Sequence, residues 1–187
     1  MNIIKLNNII ATVLIGTATI ACSTYANAAT DEAKATYKST KESAEADYKV
    51  AREKCNTQSG NPKDVCIAEA ESMQKHTKAK AEAEYKNTNS ARTDARKAMA
   101  NADYDVAKTK CNASTGNVKD VCIKEAKAAM VASKADAKAD KKVVAARTDA
   151  RDDKVDANYK VAIEKCDALA GAAKDSCVAT AKTQFGK

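Results

Sequence analysis

A pair of cysteines at Cys55 and Cys66 (CNTQSGNPKDVC) returns at Cys111 and Cys122 (CNASTGNVKDVC) and again at Cys166 and Cys177 (CDALAGAAKDSC). In a chain with one phenylalanine and no tryptophan, this thrice-repeated spacing restricts the fold more than any other feature. The match extends outward. Tyr48, Ala51 and Lys54 before the first cysteine correspond to Tyr104, Ala107 and Lys110, and to Tyr159, Ala162 and Lys165. Gly60, Lys63 and Asp64 correspond to Gly116, Lys119 and Asp120, and to Gly171, Lys174 and Asp175. Cys55 to Cys111 is 56 positions and Cys111 to Cys166 is 55. A period of this length marks one repeated supersecondary unit. The copies cover about 45–100, 101–155 and 156–187, the last one truncated. ARTDAR, at Ala91–Arg96 and Ala146–Arg151, is a second shared piece.

Each cysteine loop reads as a helix end, a turn and a helix start. Tyr48, Ala51 and Cys55 share one helical face. Asn56 to Gly60 is a cluster of turn formers, and Gly60 suits the left-handed conformation that closes a helix. Asn61 is expected to cap the next helix, with Pro62 in its first position and Asp64 at the positive end of its dipole. Cys66, Ala70 and Met73 then share a face. Helices are expected near 31–55, 62–110, 118–166 and 173–184. Asn87-Thr88-Asn89-Ser90 is a candidate break in the second, with Ser90 as the new cap. The matching Lys142-Val143-Val144-Ala145 has no breaker. Unbroken, the second helix would be about 73 Å long.

The fold class implied is all-α: elongated antiparallel helical hairpins stapled at the bends. Composition supports it. Leu, Ile, Val and Phe are scarce, while alanine, lysine and glutamate favour helix. Heptads are too irregular for a regular coiled coil. A thin core holds long helices poorly, and the small alanines permit the close approach that a disulfide requires. Repetition selects the local pairings Cys55–Cys66, Cys111–Cys122 and Cys166–Cys177. Each such loop closure contributes about 3 kcal/mol in the loop-entropy account.

The first residues read as an export leader. Lys5 precedes the apolar run Ile9–Ile20, and Ala26-Asn27-Ala28 offers a cleavage site, which makes residues 1–28 a signal peptide and 29–187 the mature chain. The apolar run is too short for a permanent membrane helix. Cys22, in TIAC, is a candidate lipidation site, although Thr19 stands where a leucine is usual; otherwise it leaves with the leader. Six of the seven cysteines then remain in an exported chain, where disulfides are the default. The expected location is the periplasm of a Gram-negative bacterium, with lipid anchoring through Cys22 as the alternative.

No constellation for catalysis emerges. The cysteine spacing is not that of a thioredoxin-type pair. It is longer than zinc sites use, and one histidine, His76, accompanies it. No metal or cofactor is expected, and His76, amid lysines, is expected to face solvent. Arg92 with Arg96, and Arg147 with Arg151, each share a helical face and are candidate anion-binding pairs. The plainer reading sets Asp94 and Asp149 beside them as charge-neutralising neighbours. The chain carries 32 Lys+Arg against 25 Asp+Glu, net +7, with the two signs interleaved. That argues against nucleic acid as a partner. The five tyrosines after Ala28 read as packing residues.

The mature chain resembles a loose group of small exported proteobacterial proteins rich in alanine and lysine. They carry paired cysteines in a motif like A-x-Y-x-V-A-x-x-K-C…G-x-x-K-D-x-C, present here at Ala46–Cys66 and Ala102–Cys122. The composition is also similar to the helical spacer of the TolA envelope protein, which lacks these cysteine hairpins. Neither likeness implies an active site. The expected function is a non-catalytic structural or interaction role in the cell envelope, toward envelope proteins or anionic envelope polymers. Two alternatives remain: a thiol-based redox or metal-responsive protein, and a cationic binder of anionic polymers or nucleic acid.

Overall fold

The computed structural model describes residues 25–187. Cys22 and most of the expected leader lie outside them. The described chain is all-α: α1 (Tyr25–Lys54), α2 (Gly60–Lys86), α3 (Asn89–Cys111), α4 (Gly116–Cys166) and α5 (Gly171–Phe185). A single 3-10 turn, Cys55–Thr57, follows α1. Among the described residues, no helix is long and apolar enough to cross a membrane.

The three bends share one backbone. The carbonyl of Cys55, Cys111 or Cys166 accepts from the N–H three residues on, at 3.1, 3.1 and 3.0 Å. An extended residue comes before the next helix (Ser59, Thr115, Ala170), and then a glycine with φ of 60°, 57° or 56° opens it. The left-handed glycine therefore starts the second helix rather than closing the first. This displaces the expected cap. Asn61 already lies inside α2, its Oδ1 accepts no hydrogen bond, and Asp64 stands beyond the first turn. No side-chain oxygen caps any of the three starts, so an alanine at 170 is tolerated in the same place.

Among the described residues, each helix packs against its neighbours in sequence and against no other helix. The pairs are antiparallel. Tyr37 stacks on Tyr85 at 4.8 Å, and Lys78 reaches Glu45 at 2.9 Å across α1 and α2. Lys110 meets Glu69 at 2.7 Å, and Lys75 meets Asp105 at 3.1 Å, across α2 and α3. Arg96 pairs with Asp140 between α3 and the first half of α4. Tyr159 meets Phe185 edge-on at 6.1 Å between the end of α4 and α5. The result is a single-layer row of helices.

The interior of this row is made of small residues. Every buried hydrophobic residue among the described ones is an alanine or a cysteine, and Met73, Val118, Val131 and Val161 are exposed. Alanine removes little apolar area from water per residue, but it lets helix axes come close enough for the disulfides to close. Cys55 and Cys166 are fully buried.

The second expected helix does break. Asn87 adopts the left-handed conformation (φ 45°, ψ 38°), which asparagine tolerates better than most residues. The cap is Thr88, not Ser90: the Thr88 hydroxyl accepts from Ala91 N–H at 3.1 Å. The break is a full reversal, so α2 and α3 form a hairpin without a disulfide. At the matching place α4 runs on for 51 residues, about 76 Å.

Candidate functional site

Three features are candidates for function: the cysteine bends, the arginine motifs, and the grooves between helices. In the bends, Cys55–Cys66, Cys111–Cys122 and Cys166–Cys177 are bonded, with Cα–Cα distances of 5.6, 5.7 and 5.6 Å. These fall within the range a disulfide accepts. One sulfur of each pair sits on a buried cysteine: Cys55, Cys111 or Cys166. Exchange requires a thiolate to reach a disulfide sulfur, and in each bend the buried member is screened by the packed helices.

The two copies of ARTDAR hold different places. In the first, Arg92 donates to Asn87 Oδ1 at 3.0 Å and to Asn89 Oδ1 at 2.7 Å, bracing the α2–α3 turn. Arg96 is taken by Asp140 of α4. The hydroxyl of the buried Thr93 donates to Asn89 O at 2.8 Å. The two guanidinium groups of the candidate pair Arg92 and Arg96 are drawn to separate partners. Asp94 neutralises Lys97, at 3.4 Å, rather than an arginine. In the second copy, Arg151 contacts its neighbour Asp152 at 3.2 Å, and both Arg147 and Arg151 stand on an exposed stretch of α4.

His76 is not solvent-facing as expected. Its side chain is 29% exposed, and Nε2 lies 2.9 Å from Asp103 Oδ1 across the α2–α3 hairpin. The contact has ion-pair proximity without hydrogen-bond angles, and Nε2 is otherwise enclosed. An unbroken helix over 62–110 would hold residues 76 and 103 about 40 Å apart; the turn at Asn87 brings them together. The signal for this contact was the turn chemistry of Asn87-Thr88, not the histidine's own neighbours. A groove of about 650 Å³ runs beside it, lined by Ser72, Met73, His76, Val106 and Lys110 among others. Among the described residues, no three His, Cys, Asp or Glu side chains converge as a metal site.

Surface charge forms pairs both within helices and between them. The Glu45 carboxyl is held below its usual value by a hydrogen bond from Lys78. Asp156 is lowered likewise by Lys187, whose own ammonium is raised by Asp156. Tyr37, Tyr85 and Tyr159 pack against other rings, and Tyr48 donates to Glu71 Oε1 at 3.4 Å. Three disulfides fit an oxidising, extracytoplasmic setting.

No family model matches the chain, and no curated protein or solved structure matches it significantly.

Proposed function

We propose that this protein is a non-catalytic structural or interaction component of the bacterial cell envelope, working in the periplasm as a disulfide-stapled helical row. The observation that carries the reading is the combination of a thin core, whose buried hydrophobic residues among those described are all alanine or cysteine, with a disulfide at each of three bends. Among the described residues, a row of single helices with small interior residues leaves open grooves between neighbouring helices. It also offers long polar faces. The export leader read in the sequence and the interleaved charge agree with an envelope location and with partners met along extended surfaces.

Fractionation of the native host, followed by intact mass before and after reduction, tests this. A periplasmic chain beginning at Ala29 with three bridges is the expected result. A cytoplasmic chain with free cysteines would overturn the reading in favour of thiol chemistry. A lipid on Cys22 would place the row at a membrane face.

A further inference from the structure

We propose that the protein forms a two-fold symmetric dimer in which α4 of one copy lies antiparallel along α4 of the other. The two long helical stretches match in sequence. Ala128, Ala132, Ala135 and Ala139 occupy the places of Ser72, His76, Ala79 and Ala83. In α2 that face is covered by α3, and Ser72 and Ala83 are buried. In α4 all four alanines are exposed. The covering helix shows the converse. Ala95 and Ala102 of α3 are buried against α2, while their counterparts Ala150 and Ala157 are exposed.

The chain thus holds both halves of an interface it has already built once. It cannot join them to each other, because the turn that reverses α2 into α3 is replaced by continuous helix. Every residue from Lys138 to Lys154 is exposed; Asp140 and Lys141 reach Arg96 and Ser90 of α3, and the alanine face of this stretch stays bare. The segment with the matching face is residues 146–166, and α4 holds it in line with residues 116–141 rather than opposite them. A second copy supplies it in the correct orientation, and each copy does so for the other, which is the closed, isologous arrangement of a two-fold dimer.

The two exposed faces are one face. Val143 and Ala146 link Ala139 to Ala150, so the small-residue stripe continues at steps of four, three and four residues. This eleven-residue period stays almost in line with a straight helix. The stripe is also self-complementary when reversed: Ala132 comes opposite Ala157, Ala139 opposite Ala150, and Val143 opposite Ala146. Transferring the Glu69–Lys110 contact of α2 and α3 through the sequence match gives a register within one residue of this, with Glu125 opposite Lys165 of the second copy.

Charge follows this register to within two residues, independently of the alanines. Asp136 comes opposite Lys154, and Lys138 opposite Asp153. Among the described residues, none of these six side chains has an ion-pair partner in the single chain. Along one straight helix Glu125 and Lys165 are about 60 Å apart, so α4 cannot pair them within itself. Where Lys75 and His76 stand in α2, α4 has Val131 and Ala132. The uncovered face is therefore more apolar than the covered one it matches.

The test uses the full mature chain with its disulfides intact. Sedimentation is followed over a concentration series. A mixture of isotopically light and heavy protein is then coupled with a zero-length carbodiimide. The expected result is a dimer that yields a mixed-isotope Glu125–Lys165 link. Ala135→Glu together with Ala139→Glu should give a monomer with unchanged helix content and three disulfides. Lys138→Asp alone should weaken the dimer roughly fivefold, and Lys138→Asp with Asp153→Lys should restore it. A monomer at every concentration would overturn the proposal, and so would a dimer whose Glu125–Lys165 link is absent. The link found only within single chains would mean that α4 folds back on itself, and would overturn it too.

Discussion

Residues 60–111 and 116–166 are close copies in sequence, yet one is a hairpin and the other a single rod. The difference rests on a few residues at the centre. Asn87 can enter the left-handed conformation, and Thr88 can cap the start of α3. Lys142-Val143-Val144-Ala145 offers neither, because valine resists positive φ and none of the four side chains carries an oxygen to cap a helix. ARTDAR, identical in both, takes its surroundings from that choice. Thr93 and Ala95 are buried while Thr148 and Ala150 are exposed. An identical motif does not define a site; the turn before it does.

The most disruptive way to break this contrast is to exchange the central residues. Replacing Asn87, Thr88, Asn89 and Ser90 with Lys, Val, Val and Ala should merge α2 and α3 into one rod. Small-angle scattering should then show a longer maximum dimension. The reverse exchange at 142–145 should fold α4 back and shorten the molecule. Unchanged dimensions in both would show that the turn residues do not decide the reversal.

Next in size is the loss of a staple. Cys111→Ser with Cys122→Ser removes the bridge joining the hairpin to the rod and should lower unfolding stability by about 2–4 kcal/mol, read by denaturant titration. Removing Cys166–Cys177 should instead free α5, which hydrogen exchange would report as lost protection confined to residues 171–185.

Packing sharpens the comparison residue by residue. Ala102 is fully buried, so Ala102→Leu should overpack the hairpin at a cost of about 1–3 kcal/mol. Its counterpart, Ala157→Leu, should change the stability of the isolated chain by less than about 0.5 kcal/mol, measured at dilutions below self-association. Equal effects would mean that both faces are covered in the single chain. A smaller step is the cap: Thr88→Ala should cost about 1 kcal/mol and Ser90→Ala distinctly less, which reverses the order expected from sequence.

The smallest effect is electrostatic. Asp156 on the rod is held below its usual value by its hydrogen bond with Lys187. Its contribution is present above the ordinary carboxylate range and is lost as pH falls through the depressed value in the folded chain. Lys187 is raised by the same pair, so its contribution is present below the ordinary lysine range and is lost as pH rises through the raised value. Asp156→Asn should flatten both shallow limbs in a pH series of α5 hydrogen exchange. Both partners are exposed to solvent, so the limbs should shrink with salt.

Much of the architecture was legible from spacing. The cysteine loops, the helices flanking them and the local disulfide pairings follow from repetition and helical period, because a disulfide and a helical turn are short-range constraints. Details within a turn were less so. Asn61 resembled a cap by residue type, but the positive φ of Gly60 had already started the helix. The surroundings of His76 and Arg96 were not legible, because their partners, Asp103 and Asp140, lie on other helices. Nothing in the sequence around either residue announces those neighbours.

By itself, then, the sequence determined that the chain is helical, where it bends under a disulfide, and that small residues face inward, since propensity, spacing and side-chain volume act locally. The tertiary structure alone decided which of the two ARTDAR copies is covered and which is bare. That outcome depends on whether the chain reverses, and reversal sets the distance between residues far apart in sequence. At Asn87 one residue enters the left-handed conformation and the hairpin closes; at Val143 the backbone stays helical, and the matching face of α4 remains open.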